Sequence, residues 1–273
     1  MSELAFVVFV SKDYEQYLPF YILFNNLAYG EHKWNTIAYL EEGWEKRIGA
    51  ELHSLTLANC YYEIRKVPYK VKVKPQIFKY YRWVINDNLY NDYDYLYFGD
   101  VDIFHVKEKP DLLKYHWEHS KAINLPYSNY TRKGTHRLSG LHFVKSAEYY
   151  PWIKLVQSGW EQDLLEHPRL IMKHRNEVML YNMVGSSGMP LAPYDPLYEM
   201  NRHHGFHMRV FIPKNYARAK EYYRTESGKY AVEFISVINN SKLFWDLFGN
   251  PEFKAVRHQL VMLFDILGYE PKI

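Results

Sequence analysis

The stretch YDYLYFGDVDIFHV, residues 93–106, constrains this chain more than any other. Tyr-Leu-Tyr-Phe reads as a buried strand, yet it runs into two acids, Asp100 and Asp102, with only Val101 between them. Burying a carboxylate is costly unless it is paired or bound to a metal, so this strand has to end at a cation or a cationic partner. In an extended segment alternate side chains share a face, and both carboxylates can then reach one hard divalent cation such as Mn²⁺ or Mg²⁺. Such a metal keeps positions open for diphosphate oxygens and neutralises their charge. Surface turns also produce Asp-x-Asp, but the apolar strand before it and Ile103-Phe104 after it argue against a solvated turn.

The surrounding pattern is an alternation of strands and helices. Leu4 to Val10 is an apolar run stopped by Ser11 and Asp13, and from Tyr14 the spacing turns helical until Gly30. WNTIAYLEE predicts a second strand, residues 43–54 a helix, and CYYEIRKV a third strand. A further helix from Pro75 towards Asn88 leads into the acid-tipped strand. This order predicts an α/β fold with a mainly parallel central sheet flanked by helices, and it places Asp100 and Asp102 at the carboxyl end of a central strand, where open α/β sheets bind ligands. Downstream, KAINLPY and SGLHFV read as strands, residues 147–160 and RNEVMLYNMV as helices, residues 189–213 as loop, and the tail from Pro251 as a helix with an apolar stripe.

Composition narrows the function classes. A net charge of +3 is too small for nucleic-acid binding without a concentrated patch. The densest basic run, residues 65–82, reads either as a solvated strand edge or as a phosphate-facing surface. The single cysteine, Cys60, excludes an internal disulfide framework and a cysteine-rich zinc site. No apolar run approaches a membrane span and the first residues lack a signal-peptide pattern, so the expectation is a cytoplasmic protein, with peripheral membrane contact through the C-terminal stripe left open. The 27 tyrosines supply rings with a hydroxyl tip, useful for stacking on bases and sugars.

Four further groups could carry chemistry. Lys79 and Arg82 precede the acid strand and could stabilise a diphosphate, or face solvent. In LSGLHFV, Gly140 allows close backbone approach and Ser139 offers a hydroxyl, although a glycine in a strand can also mark a bulge. In RNEVML, Asn176 and Glu177 begin a helix; Glu177 is either a reacting carboxylate or a first-turn acid favoured by the helix dipole. His203, His204 and His207 share a glycine-containing loop, and a neutral imidazole there could join two carboxylates around Mn²⁺, with His207 preferred and His204 next. His105, His136 and His142 receive no catalytic role.

In that order these motifs resemble the GT-A-fold glycosyltransferases that use a nucleotide-sugar and a metal. The layout is similar to the retaining families that include the blood-group-type and the glycogenin/LgtC-type galactosyltransferases, or to a related bacterial polysaccharide family. The resemblance extends to about Pro213. Asn176 stands where the blood-group-type pattern has Asp, and Arg209 follows His207 where the glycogenin-type motif has a Gly and a Lys. It implies a single domain: a nucleotide-binding half over residues 1–106, a sugar and acceptor half over 107–215, and a helical extension over 216–273. It also implies a UDP-sugar donor, with Val10, Ser11 and Tyr14 beside the base, Lys79, Arg82, Asp100 and Val101 at the nucleotide sugar, and Ser139 and Gly140 at the sugar pocket. Asn176 and Glu177 would lie near the reacting carbon, and Asp100, Asp102, His207 and His204 on the metal. The expected reaction moves a hexose, galactose from UDP-galactose, to a saccharide or lipid-linked saccharide in bacterial lipopolysaccharide or capsule synthesis. A sugar-nucleotide nucleotidyltransferase and a non-catalytic carbohydrate-binding subunit are the alternatives.

Overall fold

The computed structural model describes residues 3–67, 77–201 and 204–271. Strands β1 (Leu4–Val10), β2 (Asn35–Leu40) and β3 (Tyr62–Lys66) alternate with helices α1 (Leu18–Tyr29) and α2 (Glu45–Leu57). Helix α3 (Phe78–Val84) leads to β4 (Tyr95–Phe98) and the short β5 (Ile103–His105). Then come α4 (Leu112–Ala122), β6 (Tyr127–Ser128), β7 (His142–Lys145), α5 (Ser146–Glu166), α6 (Pro168–Ile171), α7 (Asn176–Ser186), α8 (Pro196–Asn201) and β8 (Gly205–His207). Helices α9 (Tyr216–Asn239), α10 (Lys242–Gly249) and α11 (Lys254–Leu267) close the chain.

Among the described residues, six strands form one sheet in the order β3-β2-β1-β4-β7-β6, with β5 and β8 in a separate antiparallel pair. The four strands β3, β2, β1 and β4 run parallel, while β7 and β6 pair antiparallel at the other edge. Helices cover both faces, which is why β1 reads as a continuous apolar run. Phe6, Val8 and Val10 enter one core with α1 and the C-terminal helices, whereas Ala5 and Val7 enter the other with α3, α5 and α7. Phe20 meets Phe244 and Phe253, and Phe24 stacks on Phe234, so the C-terminal apolar stripe packs on its own domain. No helix among the described residues is long and apolar enough to cross a membrane.

Several expectations are corrected. KAINLPY is mostly the end of α4 and a turn, with strand only from Tyr127, because Asn124 adopts a left-handed conformation (φ 54°) that breaks extended pairing. The segment over residues 189–213 is not all loop: it contains α8 and β8. Helix α3 ends at Val84, where Ile85 turns extended (ψ 126°), and the expected start at Pro75 lies outside the described residues.

Three histidines are core residues. Burial pushes His142 down to about 3, helped by the nearby Arg82 charge, and His105 to about 3, helped by His204. His116 is driven well below its ordinary value by the same burial. A folded pKa below the unfolded one means the unfolded chain binds the extra proton, so stability is lost as pH falls from about 6.5 towards the folded value. At pH 5 each such imidazole should cost about 2 kcal/mol. Urea midpoints should therefore drop between pH 7 and pH 5, and His142→Gln should flatten that drop; identical slopes in the two proteins would contradict the assignment.

Candidate active site

The chain winds outward from β1 to β3 and then returns to β4 on the other side of β1. The carboxyl ends of β1 and β4 therefore flank a crevice at the point where strand order reverses. A cavity of about 760 Å³ opens there. Ser11 and Tyr14 reach it from the exit of β1 and Lys79 and Arg82 from α3, while Asp100, Val101 and Asp102 come from the turn after β4, not the expected extended segment, because the Ile103 N–H closes onto the Asp100 carbonyl at 3.1 Å. Ser139 and Gly140 come from the approach to β7, Asn176 and Glu177 from the first turn of α7, and His207 from β8.

Arg82 organises one side. Its guanidinium is 7% exposed, donates from Nη1 to Asp100 Oδ1 at 2.8 Å, and lies 4.3 Å from the centre of the Trp83 ring. A Cβ on Gly140 would come within 3.0 Å of Arg82 Nη2 and 3.9 Å of Glu177 Oε1, so the missing side chain gives the guanidinium room. Withdrawal from bulk water raises the Asp100 pKa, but Arg82, with His207 and Lys79, outweighs it and holds the carboxyl below its usual range. Nevertheless 45% of the Asp100 side chain still opens towards the cavity.

Asp102 is reached differently. It is 3% exposed and lies where β5 pairs with β8: Ile103 stands opposite His207, and the Met208 N–H donates to the Asp102 carbonyl at 2.7 Å. That ladder brings His207 Nε2 to 3.6 Å and Arg209 Nε to 3.8 Å from the Asp102 carboxylate. Gly205 permits it, since a Cβ there would meet the Phe104 carbonyl oxygen at 2.0 Å. Burial lowers the His207 pKa, but the hydrogen bond and charge of Asp102, with the charge of Asp100, raise it overall. Two carboxylates and an imidazole are donors that Mn²⁺ accepts, and the two carboxylates suit Mg²⁺. Among the described residues, however, no three His, Cys, Asp or Glu side chains converge as a ready metal centre. Asp100 is engaged by Arg82 instead.

Glu177 is clamped by two arginines from the hairpin between β6 and β7: Arg132 Nη2 at 2.8 Å on Oε1 and Arg137 Nη1 at 3.5 Å on Oε2. Asn176 Nδ2 at the cavity edge donates to the Lys79 carbonyl at 3.3 Å, tying α7 to α3.

No family model matches the chain, and no curated protein matches it. Among solved structures, it is similar to the galactosyltransferase LgtC in complex with donor and acceptor sugar analogues, at 12% identity over 74% of this chain and 84% of that one, with a TM-score of 0.42. It is also similar to the glycosyltransferase GlyE of Streptococcus pneumoniae TIGR4, at 9% identity over 100% of this chain and 66% of that one, with a TM-score of 0.46. At TM-scores below 0.5 the likeness assigns nothing, and the chemistry of the cavity has to be read from its own residues.

Two expected residues stand elsewhere. The Val10 side chain is fully buried in the core against α1, because strand alternation turns Phe9 rather than Val10 towards the cavity. His204 is fully buried in a separate network, with Nδ1 3.0 Å from Glu108 Oε2 and Nε2 3.2 Å from His116 Nε2. Its left-handed backbone (φ 55°) turns the chain into β8, so it positions the strand that carries His207. His203 lies outside the described residues.

Sequence reasoning missed Arg132, Arg137 and Asn129. Asn129 is fully buried, and its Oδ1 accepts from the Tyr130 N–H at 2.7 Å and the Ser139 N–H at 2.8 Å. With the oxygen thus fixed, Nδ2 donates to the Ser139 carbonyl at 3.1 Å and to His142 Nδ1 at 2.9 Å, which requires a neutral His142. One side chain thus holds both polar backbone groups of Ser139, next to Gly140. Asn129→Ala would leave two buried N–H groups and a carbonyl unpaired, and should lower unfolding free energy by about 2–4 kcal/mol. Chemical denaturation measures it, and a loss within experimental error would mean that water replaces the amide.

Proposed function

We propose that this protein is a glycosyltransferase that moves a hexose from a nucleotide-diphosphate sugar to a saccharide acceptor. The observation that carries this reading is the cavity at the strand-order reversal, where Asp100 and Asp102, Gly140, Glu177 and His207 meet from four distant parts of the chain. Six Lys and Arg side chains line it against three carboxylates, a balance suited to an anionic ligand. We take the donor to be UDP-galactose and the acceptor to be a saccharide or lipid-linked saccharide of bacterial lipopolysaccharide or capsule.

In this reading Ser11 and Tyr14 bind the base, offering a hydroxyl and a ring beside the end of β1. The Tyr14 ring already carries the Arg209 guanidinium 5.3 Å from its centre, which orients that cation towards the diphosphate. A Mn²⁺ or Mg²⁺ ion held by Asp100, Asp102 and His207 would supply further charge neutralisation of the diphosphate. Gly140 and Ser139 form the backbone floor under the sugar. Glu177 is placed at the sugar end, and its two arginines hold it in one orientation, where a carboxylate stabilises positive charge developing on the reacting carbon. Attack on that carbon or removal of the acceptor proton would require the Oε2 atom to leave its longer contact with Arg137.

A nucleotidyltransferase would use a glycine-rich phosphate loop after the first strand. Here β1 passes through Ser11 straight into a 3₁₀ turn over Lys12–Tyr17 that contains no glycine. A binding subunit without turnover differs in giving no hydrolysis of the donor.

Calorimetry should show UDP binding in Mn²⁺ that weakens at least about tenfold in EDTA and in Asp102→Ala, with GDP and CDP binding less well. Nucleotide binding indifferent to both metal and mutation would refute the metal assignment, and no nucleotide binding at all would refute the transferase reading.

A further inference from the structure

The charges that line the cavity do not cancel evenly. Arg82 is taken up by Asp100, Arg132 by Glu177, and Arg209 lies against Asp102. Lys79, Lys173 and Arg175 also line the cavity; Lys79 acts on Asp100 through its charge alone, and no carboxylate among the described residues forms an ion pair with Lys173 or Arg175. These three cations share one wall. Lys79 is on α3, and Lys173 and Arg175 are in the turn between α6 and α7. The wall is stapled twice, by the Tyr80 hydroxyl donating to the His174 carbonyl and by Asn176 Nδ2 donating to the Lys79 carbonyl.

The diphosphate of a nucleotide-sugar brings about two negative charges, which Lys79 and Arg209, whose guanidinium lies over the Tyr14 ring, can meet. A divalent ion on the acids would meet them a second time. Lys173 and Arg175 then face a neutral sugar with nothing to pair with, although Arg175 is the residue immediately before Asn176 and Glu177. Like charges gathered on a cavity wall repel one another and attract an anion, and charge-assisted hydrogen bonds from a guanidinium to a carboxylate or phosphate are among the strongest available.

We infer that the saccharide bound beside the diphosphate carries a negative charge, as a carboxylate or a phosphate, and that Lys173 and Arg175 receive it. The inference rests on the transferase reading above. The anionic group could belong to the acceptor, or to the donor sugar, in which case a uronate takes the place of the galactose assigned above. Either source presents the same chemistry to the same two side chains.

The test uses the full-length protein with two pairs of probes. For the acceptor, UDP-saturated protein is titrated with glucose 6-phosphate, with glucuronate and with glucose. For the donor, UDP-glucuronate is compared with UDP-glucose. In one of the two comparisons the anionic probe should bind about tenfold or more tightly than its neutral counterpart, and Lys173→Gln/Arg175→Gln should abolish that preference. Both substituted residues are exposed, so the variant should keep the wild-type unfolding midpoint and its affinity for UDP. Equal binding of anionic and neutral probes in both comparisons would overturn the inference and leave the transferase reading intact. Loss of UDP binding in the double variant would overturn it too, by assigning these cations to the diphosphate. Failure of UDP to bind the wild-type protein would remove both readings together.

Discussion

The buried guanidinium of Arg82 is the constraint on which the site depends. A cation removed from water must be paired and hydrogen-bonded, and here the pairing partner is the first acid of the strand-end motif. The planar fork spans three elements: it belongs to α3, it reaches the end of β4 through Asp100, and its free edge lies against Gly140 on the approach to β7. The Trp83 ring below it fixes the plane. A lysine would place a point charge near Asp100 but could neither lie on the indole nor fill the space left by Gly140. The glycine in LSGLHFV is therefore explained first by a neighbouring arginine, and any closeness to a sugar follows from that.

The second acid depends on a different device. Asp102 is reached across more than 100 residues of chain, by a three-residue strand pair whose register is set where Gly205 lies directly on the Phe104 carbonyl. Non-local pairing of so short a ladder needs support from elsewhere. His204 provides it, with a left-handed backbone and both ring nitrogens engaged in the core. The two histidines just before the start and at the end of this short strand thus divide their work: His204 holds the strand and His207 faces the cavity.

Much of the fold was legible because burial on both faces writes itself into the sequence. Leu4 to Val10 and the run before Asp100 are apolar throughout, as strands covered by helices must be. The strand-end acids, Gly140, Glu177 and His207 were legible because each breaks a local pattern. Arg132 and Arg137 break none. They are charged residues in a polar hairpin, and only the hairpin's closure onto α7 shows that they clamp Glu177. Asn129 was equally silent, since its value lies in four bonds to Tyr130, Ser139 and His142. KAINLPY misled for a simpler reason: apolar letters at a helix end and at a strand start look alike when the turn between them carries no glycine or proline before Pro126.

Ion pairs across the cavity also shape what a ligand must do on arrival. Each carboxylate already has a cationic neighbour, so the site is held in shape without an added charge. A metal or phosphate has to exchange with those neighbours rather than fill an empty ring of acids. For Asp100 the exchange is cheap, because Arg82 uses one carboxylate oxygen and the side chain remains partly open. For Glu177 it is expensive, because both oxygens are engaged and only 15% of the side chain is exposed. Ligand-driven rearrangement should therefore begin at the strand-end acids, while Glu177 keeps its place as the fixed point of the cavity.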